Sequence, residues 1–425
     1  GHTVTALRSW KDHDLEKTGR LTHPLRYDAA TDRYLEVSWD SAFAEIGQIL
    51  KRLAPNSAVF YASGHAGLEA SYLYALLARK FGTNNLPQSS NMCHETTSVA
   101  LSQVIGSPVG TIVWDDLEQT DAFFFFGQNP GTNSPRFLHP LKAAKDRGAK
   151  IVTFNPIIEQ GLVSFVDPQN PAAMLTGKAT KISDQYHQLK AGGDVAAILG
   201  MCKCLFEADD LAQAQGEPAV IDHAFVAQHT TGFNAFAQEC RDATWSDIEQ
   251  ESGLTEQALR QAAAVYMAAE KVIGVYGMGL TQHTHGALNV AMLVNLLLLR
   301  GNIGRPGAGC CPVRGHSNVQ GQRTVGIAEK AHLVPMDKLK ALFGFDPPTD
   351  DGMNIVEAVE GLFAGEVRAF ISLGGNLVRA VPDQGRMEQA WAVQDLTVMI
   401  STKLNRSHLF PAKAALILPC LGRME

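Results

Sequence analysis

The stretch that decides the fold is residues 122–135, which reads AFFFFGQNPGTNSP. Four consecutive phenylalanines are apolar on both faces of a strand, as a parallel strand covered on both sides requires. Gly127 then allows a tight turn. Pro135 suits the first position of a helix and Asn133 or Ser134 suits its cap. The stretch therefore predicts a buried strand, a turn and a helix, the repeating unit of an α/β fold.

The same alternation of apolar runs and amphipathic stretches continues along the chain. It predicts two doubly wound, mostly parallel-sheet α/β domains, one inserted in the other. Strands are predicted at 58–62, 122–126, 150–154, 272–276, 369–373 and 396–400, and helices at 41–53, 69–81, 135–146, 194–206, 256–269 and 285–299. Segments 170–183 and 301–326 are expected to be irregular.

Domain boundaries follow from this pattern. Residues 1–38 are expected to form an N-terminal extension, and residues 39–92 together with 321–425 a discontinuous α/β domain. Residues 93–320 are expected to form an inserted, Rossmann-like domain that binds a dinucleotide.

Composition excludes several classes of protein. The 425 residues include 45% hydrophobic and 19% charged residues, as in ordinary globular proteins, and the net charge of −7 disfavours nucleic acid as a partner. No apolar run is long enough to span a membrane. The seven cysteines form no CxxC pair, so no zinc or iron–sulfur site is indicated, and a reducing, cytoplasmic location is expected. The start at Gly1 and the abrupt end suggest a piece excised from a longer protein.

Turns rich in glycine and asparagine follow most of the predicted strands. Examples lie at Asn129, Asn155, Gly277 and Gly375. Carboxyl ends of parallel strands share one edge of a sheet, where phosphates bind at helix N-termini. No turn has the GxGxxG or Walker pattern, which disfavours ordinary NAD or ATP binding. Each turn, taken alone, could simply connect a strand to a well-capped helix. Asp194 could bind the edge of a nucleotide base, or it could cap the helix that follows it.

The pair Cys93-His94 directly precedes a predicted helix. A thiol at a helix N-terminus tends towards the thiolate, the form that attacks carbon or binds metal. His94 could move protons near neutral pH. A lone cysteine is, however, more commonly a buried packing residue.

Together these motifs resemble the molybdopterin oxidoreductase family, and most closely its formate-dehydrogenase-like alpha subunits. The resemblance runs from Gly19 to Pro419. Its sharpest signatures are NMCHE at 91–95, GQNPGTN at 127–133, YGMG at 276–279, GNIG at 301–304 and PVRGHSNVQG at 312–321. It implies a bis-(molybdopterin guanine dinucleotide) cofactor that holds molybdenum or tungsten, and the two-electron oxidation of formate or a similar small substrate.

The resemblance also implies roles for individual residues. Cys93 matches the metal ligand, His94 the adjacent active-site histidine and Arg314 the arginine on the substrate side. The positions matched to cofactor contacts are Gly127, Asn129, Pro130, Thr132, Asn133, Asn155, Pro156, Gly192, Asp194, Gly277, Met278, Gly279, Gln282, Gly315, Asn318, Gln320, Gly375 and Asn376. A small-molecule substrate and an electron-transfer partner are implied, with no nucleic acid and no membrane span.

This sequence departs from the family pattern in three places. The N-terminal cysteine-rich segment is absent, so a [4Fe–4S] cluster is expected only in the full-length parent, and the C-terminal β-barrel-like domain is absent too. Glu95 stands where many formate dehydrogenases have a small residue. The alternative to a catalytic core is a catalytically silent apo fragment, or a cofactor-binding scaffold that lacks metal.

Overall fold

The computed structural model describes residues 2–422. Within that range the strands, in chain order, are β1 Leu25–Asp28, β2 Arg33–Glu36, β3 Ala58–Ala62, β4 Ala122–Phe126, β5 Lys150–Phe154, β6 Ser164–Phe165, β7 Thr180–Lys181, β8 Gln185–His187, β9 Val272–Tyr276, β10 Gly309–Pro312, β11 Ala369–Leu373, β12 Leu396–Ser401 and β13 Ala414–Pro419.

The α-helices of the same range are α1 Val4–Arg8, α2 Asp12–Glu16, α3 Trp39–Leu50, α4 Leu68–Phe81, α5 Ser90–Cys93, α6 Glu95–Ile105, α7 Pro130–Asn133, α8 Leu138–Asp146, α9 Gln160–Val163, α10 Pro171–Thr176, α11 Asp194–Gln215, α12 His223–His229, α13 Phe233–Asp242, α14 Trp245–Ser252, α15 Glu256–Ala268, α16 Met278–Thr281, α17 Gly286–Leu298, α18 Val319–Thr324, α19 Met336–Phe343, α20 Ile355–Ala364, α21 Leu377–Ala380 and α22 Gln384–Ala392. Short 3-10 helices lie at Pro55–Ser57, Trp114–Glu118, Pro135–Phe137, Ala331–Leu333 and Arg406–Leu409.

The chain divides into two compact units, as a doubly wound fold with an inserted domain requires. The first unit contains residues 1–92 and 316–425, and the second contains residues 93–315. The segment before residue 39 belongs to the first unit, where Arg406 donates to the carbonyls of Arg8 and Trp10 and pairs with Asp12.

The second unit is built on a five-stranded sheet in the order β10-β9-β4-β5-β8. All four pairings are parallel. One register row crosses the sheet at the carboxyl end of every strand: Pro312, Tyr276, Phe126, Phe154 and His187. The turns that follow these five residues therefore lie along the carboxyl edge of this sheet.

The four phenylalanines of β4 explain why this strand is central. Phe124 and Phe126 pack on one face in a cluster with α6, α11, α15 and α17. Phe123 and Phe125 pack on the other face with Phe137 and Leu141. Burial of each ring contributes on the order of 1.5–3 kcal/mol, so this run stabilises both layers.

The first unit has a six-stranded sheet in the order β2-β1-β13-β12-β11-β3. The strands β13, β12, β11 and β3 are parallel, and β1 and β2 add an antiparallel edge. Helices α3 and α4 cover one face around Phe60, and α20 to α22 cover the other around Phe370 and Trp391. The predicted fold class is thereby confirmed.

Two segments predicted to be irregular contain regular structure. Residues 170–183 include α10 and β7, and residues 301–326 include β10 and α18. Strand β10 was missed because Gly309, Cys310, Cys311 and Pro312 lack β-branched residues, and its pairing with β9 decides the outcome. Helical structure begins at Pro135 as predicted, with a 3-10 turn that continues into α8, but the separate short helix α7 at Pro130–Asn133 was not predicted.

Candidate active site and cofactor-binding edges

Glycine allows two loops to meet at the carboxyl edge of the second unit. Gly127 follows β4 with φ of +53°, and a Cβ there would lie 2.6 Å from the Gly279 Cα. The Gly279 amide donates to the Gly127 carbonyl at 3.0 Å. Gly277 follows β9 and is equally crowded, because a Cβ on it would collide with the Gln128 side chain. These three glycines make the edge narrow and expose backbone rather than side chains.

The turn after β4 is organised by Asn129, which caps α7. Its Oδ1 accepts from the Thr132 amide at 3.2 Å, and its Nδ2 donates to Glu159 Oε2 at 2.7 Å. Pro130 occupies the first helical position, and Asn133 ends the helix. Asn129 therefore caps α7, while Ser134 occupies the N-cap position of the next helical segment, which begins at Pro135.

Aromatic rings line the next strand end. The Phe154 ring stacks on Phe126 at 4.8 Å and on His187 at 5.0 Å. Asn155 follows directly, is buried, and donates its amide to the His187 carbonyl at 3.1 Å. Pro156 then leads the chain to an exposed loop. A polar side chain beside stacked rings suits contact with a planar base or a ribose.

Asp194 is the first residue of the long helix α11. Gly193 is the N-cap, so Asp194 is not the cap that its sequence suggested. Gly192 has φ of +89° and lets the chain turn into the helix. Burial raises the pKa of Asp194 to about 7. A buried carboxylate at a helix start can accept hydrogen bonds from a ligand N–H group.

Gln128 is the clearest sign that this edge holds a polar ligand. Its side chain is only 5% exposed. Among the described residues its Nε2 has no hydrogen-bond partner. A buried amide donor without an acceptor costs about 1–3 kcal/mol unless something else accepts its hydrogen bond. A phosphate or carbonyl oxygen of a ligand would satisfy it.

Cys93 lies at the end of the short helix α5, immediately before α6. It is buried, and its Sγ lies 3.3 Å from the Sδ of Met278. The Thr281 hydroxyl donates to the Cys93 carbonyl at 3.1 Å. The turn after β9 thus holds Cys93 in place through two residues of α16.

His94 is the N-cap residue of α6 and is buried. Its Nδ1 lies 2.8 Å from the Thr97 hydroxyl, and its Nε2 lies 3.0 Å from the Val313 carbonyl. Burial, together with the positive charge of Arg314, lowers the pKa of His94 to about 4. The imidazole is therefore neutral at pH 7, and the end of β10 brings Arg314 close to it.

The carboxyl edge of the first unit is open by comparison. A cavity of about 510 Å³ lies there, lined among others by Ser63, Gly374, Gly375, Asn376 and Lys403. Gly374 and Gly375 both have positive φ. Asn376 begins the turn into α21, and its Oδ1 accepts from the hydroxyl and the amide of Ser407 at 3.0 and 3.2 Å.

The remaining predicted positions are divided between the units. Gln282 ends α16 and Gly315 closes the second unit. Asn318 belongs to the first unit, where its amide donates to the Gly64 carbonyl at 2.9 Å and its Nδ2 to the Ala66 carbonyl at 2.8 Å. Gln320 lies in α18, on the exposed side. The structure therefore does not gather all predicted cofactor contacts within one unit.

Several residues of these edges were missed by sequence reasoning. Thr97 is three residues after His94, a spacing that places the two on one side of a helical turn. Lys403 and Asn405 follow β12, so the strand-end rule used for the other turns could have found them. Nothing in the sequence pointed to His187, because the three-residue strand β8 has no clear periodicity.

Neither a ready-made metal centre nor a membrane-spanning helix occurs in the described residues. No group of three or more His, Cys, Asp or Glu side chains in residues 2–422 could hold a metal ion. Over the same residues, no helix has the length and apolar character needed to cross a lipid bilayer.

A family model of molybdopterin oxidoreductases matches residues 20–421. Protein YdeP of Escherichia coli K12 is 47% identical over the whole chain, which covers 56% of that protein. The alpha subunit of F420-dependent formate dehydrogenase 1 from Methanococcus maripaludis is 28% identical over 86% of the chain and 51% of its own length.

A solved structure has the same fold. Acetylene hydratase from Pelobacter acetylenicus superimposes with a TM-score of 0.64 at 18% identity, over 96% of this chain and 55% of that one. The chain thus spans about half the length of the curated relatives it matches.

Proposed function

The chain belongs to the molybdopterin oxidoreductase family, and on that premise we propose that it is the catalytic core of a molybdenum or tungsten enzyme. The proposed reaction is the two-electron oxidation of formate or a similar small carboxylate. Cys93 would ligate the metal, Arg314 would bind the substrate and His94 would lie beside both.

One observation carries this proposal. Cys93 and His94 lie next to each other at the start of α6, and the His94 imidazole contacts the carbonyl of Val313, the residue before Arg314. A soft sulfur ligand, a neutral imidazole and a guanidinium therefore meet at one strand end. That donor set suits a sulfur-rich molybdenum or tungsten site and an anionic substrate.

The residues present fit a pterin dinucleotide cofactor. The narrow glycine edge and the buried Nε2 of Gln128 would contact phosphate oxygens in the second unit, and the carboxylate of Asp194 would accept from a guanine. The cavity beside Gly375 and Asn376 would hold a second dinucleotide in the first unit. When bound, such a cofactor supplies a metal that accepts two electrons.

Arg314 would bind the substrate, and His94 would lie beside it as a neutral ring. A guanidinium can hold a carboxylate through two parallel, charge-assisted hydrogen bonds, which orient it as well as bind it. The neutral imidazole adds no charge that would compete with Arg314. Support for formate comes from the name of the methanogen relative, while Glu95 beside the pair leaves room for another small carboxylate.

The environment of the protein is part of the proposal. The described residues contain no disulfide bond, which suits a reducing cytoplasm. The proposed oxidation would release two electrons, so the proposal includes an electron-transfer partner in addition to the substrate.

Metal analysis of the full-length protein, purified without oxygen, tests the role of Cys93. We expect about one molybdenum or tungsten per chain, and X-ray absorption should show a protein sulfur ligand that Cys93→Ala removes. Cys311→Ala is the matched control, since that thiol is also shielded but lies on β10. An unchanged metal spectrum in Cys93→Ala contradicts the proposed ligand, and metal-free wild-type protein indicates a scaffold instead.

Kinetics of the same protein test Arg314. Arg314→Ala should lower kcat/KM for formate by about tenfold or more, because a charge-assisted bond is worth roughly 1.5–3 kcal/mol. Arg314→Lys should also be impaired, since lysine keeps the charge but loses the planar fork. Loss of pterin in these variants would assign Arg314 to the cofactor.

A further inference from the structure

A continuous chain of hydrogen bonds runs through the second unit from Val313 to Tyr276. His94 Nε2 lies 3.0 Å from the Val313 carbonyl oxygen, and His94 Nδ1 lies 2.8 Å from Thr97 Oγ1. The Tyr276 hydroxyl donates to Thr97 Oγ1 at 3.2 Å. Thr97 and Tyr276 are fully buried, so water does not compete for these bonds.

The Val313 carbonyl, at one end of this series of hydrogen bonds, determines which group donates in each of them. The Val313 carbonyl can only accept, so Nε2 of His94 must carry a hydrogen. In the neutral ring Nδ1 is then an acceptor, and the Thr97 hydroxyl donates to it. Thr97 can donate in that direction because its own oxygen accepts from Tyr276. With a neutral ring, the hydrogen bond between Tyr276 and Thr97 can therefore run only from the tyrosine to the threonine.

We propose that Thr97 and Tyr276 are positioning residues that hold the His94 ring in the orientation in which its Nε2–H donates to the Val313 carbonyl next to Arg314. The geometry is independent of the proposed function, but its importance for turnover rests on that function. Without the Thr97 hydroxyl, Nδ1 would be a buried nitrogen without a donor. The ring would then lose the contact that fixes its orientation, and its hydrogen bond to Val313 would weaken.

The arrangement also restricts what His94 can do. One ring nitrogen donates to the backbone and the other accepts from Thr97, so no lone pair of the ring is available to a substrate. The primary task of the ring is therefore to fix the strand end that bears Arg314.

Nitrogen-15 NMR of the chain labelled at the histidine ring nitrogens tests the tautomer. His94→Gln identifies the signals of His94 among the 14 histidines. We expect a pyrrole-type shift at Nε2 and a pyridine-type shift at Nδ1 in the wild type. Thr97→Val, which keeps the shape of the side chain, should move the Nδ1 signal towards that of a pyridine-type nitrogen without a hydrogen bond and should also move the Nε2 signal as its bond to Val313 weakens. Thr97→Ser should restore the original pattern. Tyr276→Phe should cause a smaller shift in the same direction.

Thr96→Val is the matched control, because the Thr96 hydroxyl donates to the Thr281 carbonyl at 3.3 Å and not to His94. A pyrrole-type Nδ1 in the wild type, or an unchanged His94 spectrum in Thr97→Val, overturns the inference. Circular dichroism shows whether Thr97→Val folds. If it does not, Thr97→Ser decides alone: a folded Thr97→Ser variant without the wild-type pattern of His94 signals contradicts the proposal. The measurement needs neither metal nor turnover, so its outcome is separate from that of the Cys93 and Arg314 experiments.

Discussion

The carboxyl edges of the two sheets use the same residue types but differ in how they fill space. In the second unit Gly127 and Gly279 touch backbone to backbone. In the first unit the turn at Gly374 and Gly375 borders a cavity of about 510 Å³. Glycine at the first edge is needed for backbone packing, whereas at the second edge a Cβ on Gly375 would meet only the Tyr61 and Ser63 side chains, beside the cavity. The two edges should therefore respond differently to added bulk.

The largest effect is expected from Gly127→Ala. A side chain at φ of +53° is strained, and its Cβ would lie 2.6 Å from the Gly279 Cα. Strain and overpacking together should lower the free energy of unfolding by about 2–4 kcal/mol in urea denaturation. Gly304→Ala is the control, since its φ is +79° but nothing lies within 4 Å. Equal costs at the two positions would show that packing is unimportant at this edge.

Asp194→Asn should change how stability depends on pH. Burial raises the pKa of Asp194 from 3.8 to about 7 in the folded chain. The folded state thus keeps the proton longer than the unfolded state, and stability is lost as pH rises from about 4 to about 7, by up to about 1.4 kcal/mol per pH unit. The asparagine variant should lack this contribution in denaturation series.

Asp210→Asn serves as a control of opposite sign, because the hydrogen bond from Arg241 lowers the pKa of Asp210. If the free energy of unfolding changes with pH in the same way in both variants, burial does not control the pKa of Asp194.

Asn376→Ala probes the open edge and should cost about 1 kcal/mol of unfolding free energy. The side-chain oxygen accepts two hydrogen bonds from Ser407. Their loss removes the acceptor of the Ser407 hydroxyl, whereas the Ser407 amide still donates to Asn405. Asn376→Asp keeps the acceptor and should recover most of the stability. If Asn376→Ala leaves the thermal unfolding temperature unchanged, water replaces the Asn376 side chain as the acceptor for Ser407.

Ala70→Trp should have the smallest effect on stability but should clearly reduce the amount of bound pterin. Ala70 is exposed on α4 and lines the cavity of the first unit. Its replacement should change stability by no more than about 0.5 kcal/mol, yet lower the pterin content of the full-length protein. Ala235→Trp, at an exposed alanine of α13, is the control. Normal pterin content in Ala70→Trp would contradict the assignment of this cavity to a cofactor.

Much of the fold could be predicted because the central strands are apolar on both faces. Strands β3, β4, β5, β9 and β11 have the predicted bounds. Strand β8 and strand β10 could not be found, since they are short and owe their existence to pairing with β5 and β9. The short helix α7 was not predicted because its four residues are too few to show a helical period, although Asn129 and Pro130 resemble a cap and a first helical residue.

In the candidate site, too, some residues could be predicted from the sequence and others could not. Cys93, His94 and Arg314 were named from motifs, as were the glycine turns, because these signals are local. Their roles remain proposals. The partners that hold them were not predictable: Met278 beside Cys93 and Val313 beside His94 lie 185 and 219 residues away along the chain.

The sequence by itself determined the α/β class, the strand-turn-helix units and the family, because apolar runs and turn residues act within a few positions of each other. Only the tertiary structure decided which glycines pack against backbone and which border a cavity, since a glycine turn has the same local sequence in both cases. It also decided the donor and acceptor assigned to each nitrogen of His94. That assignment depends on groups from three distant segments, and hydrogen bonds select among partners only after the chain has brought them together.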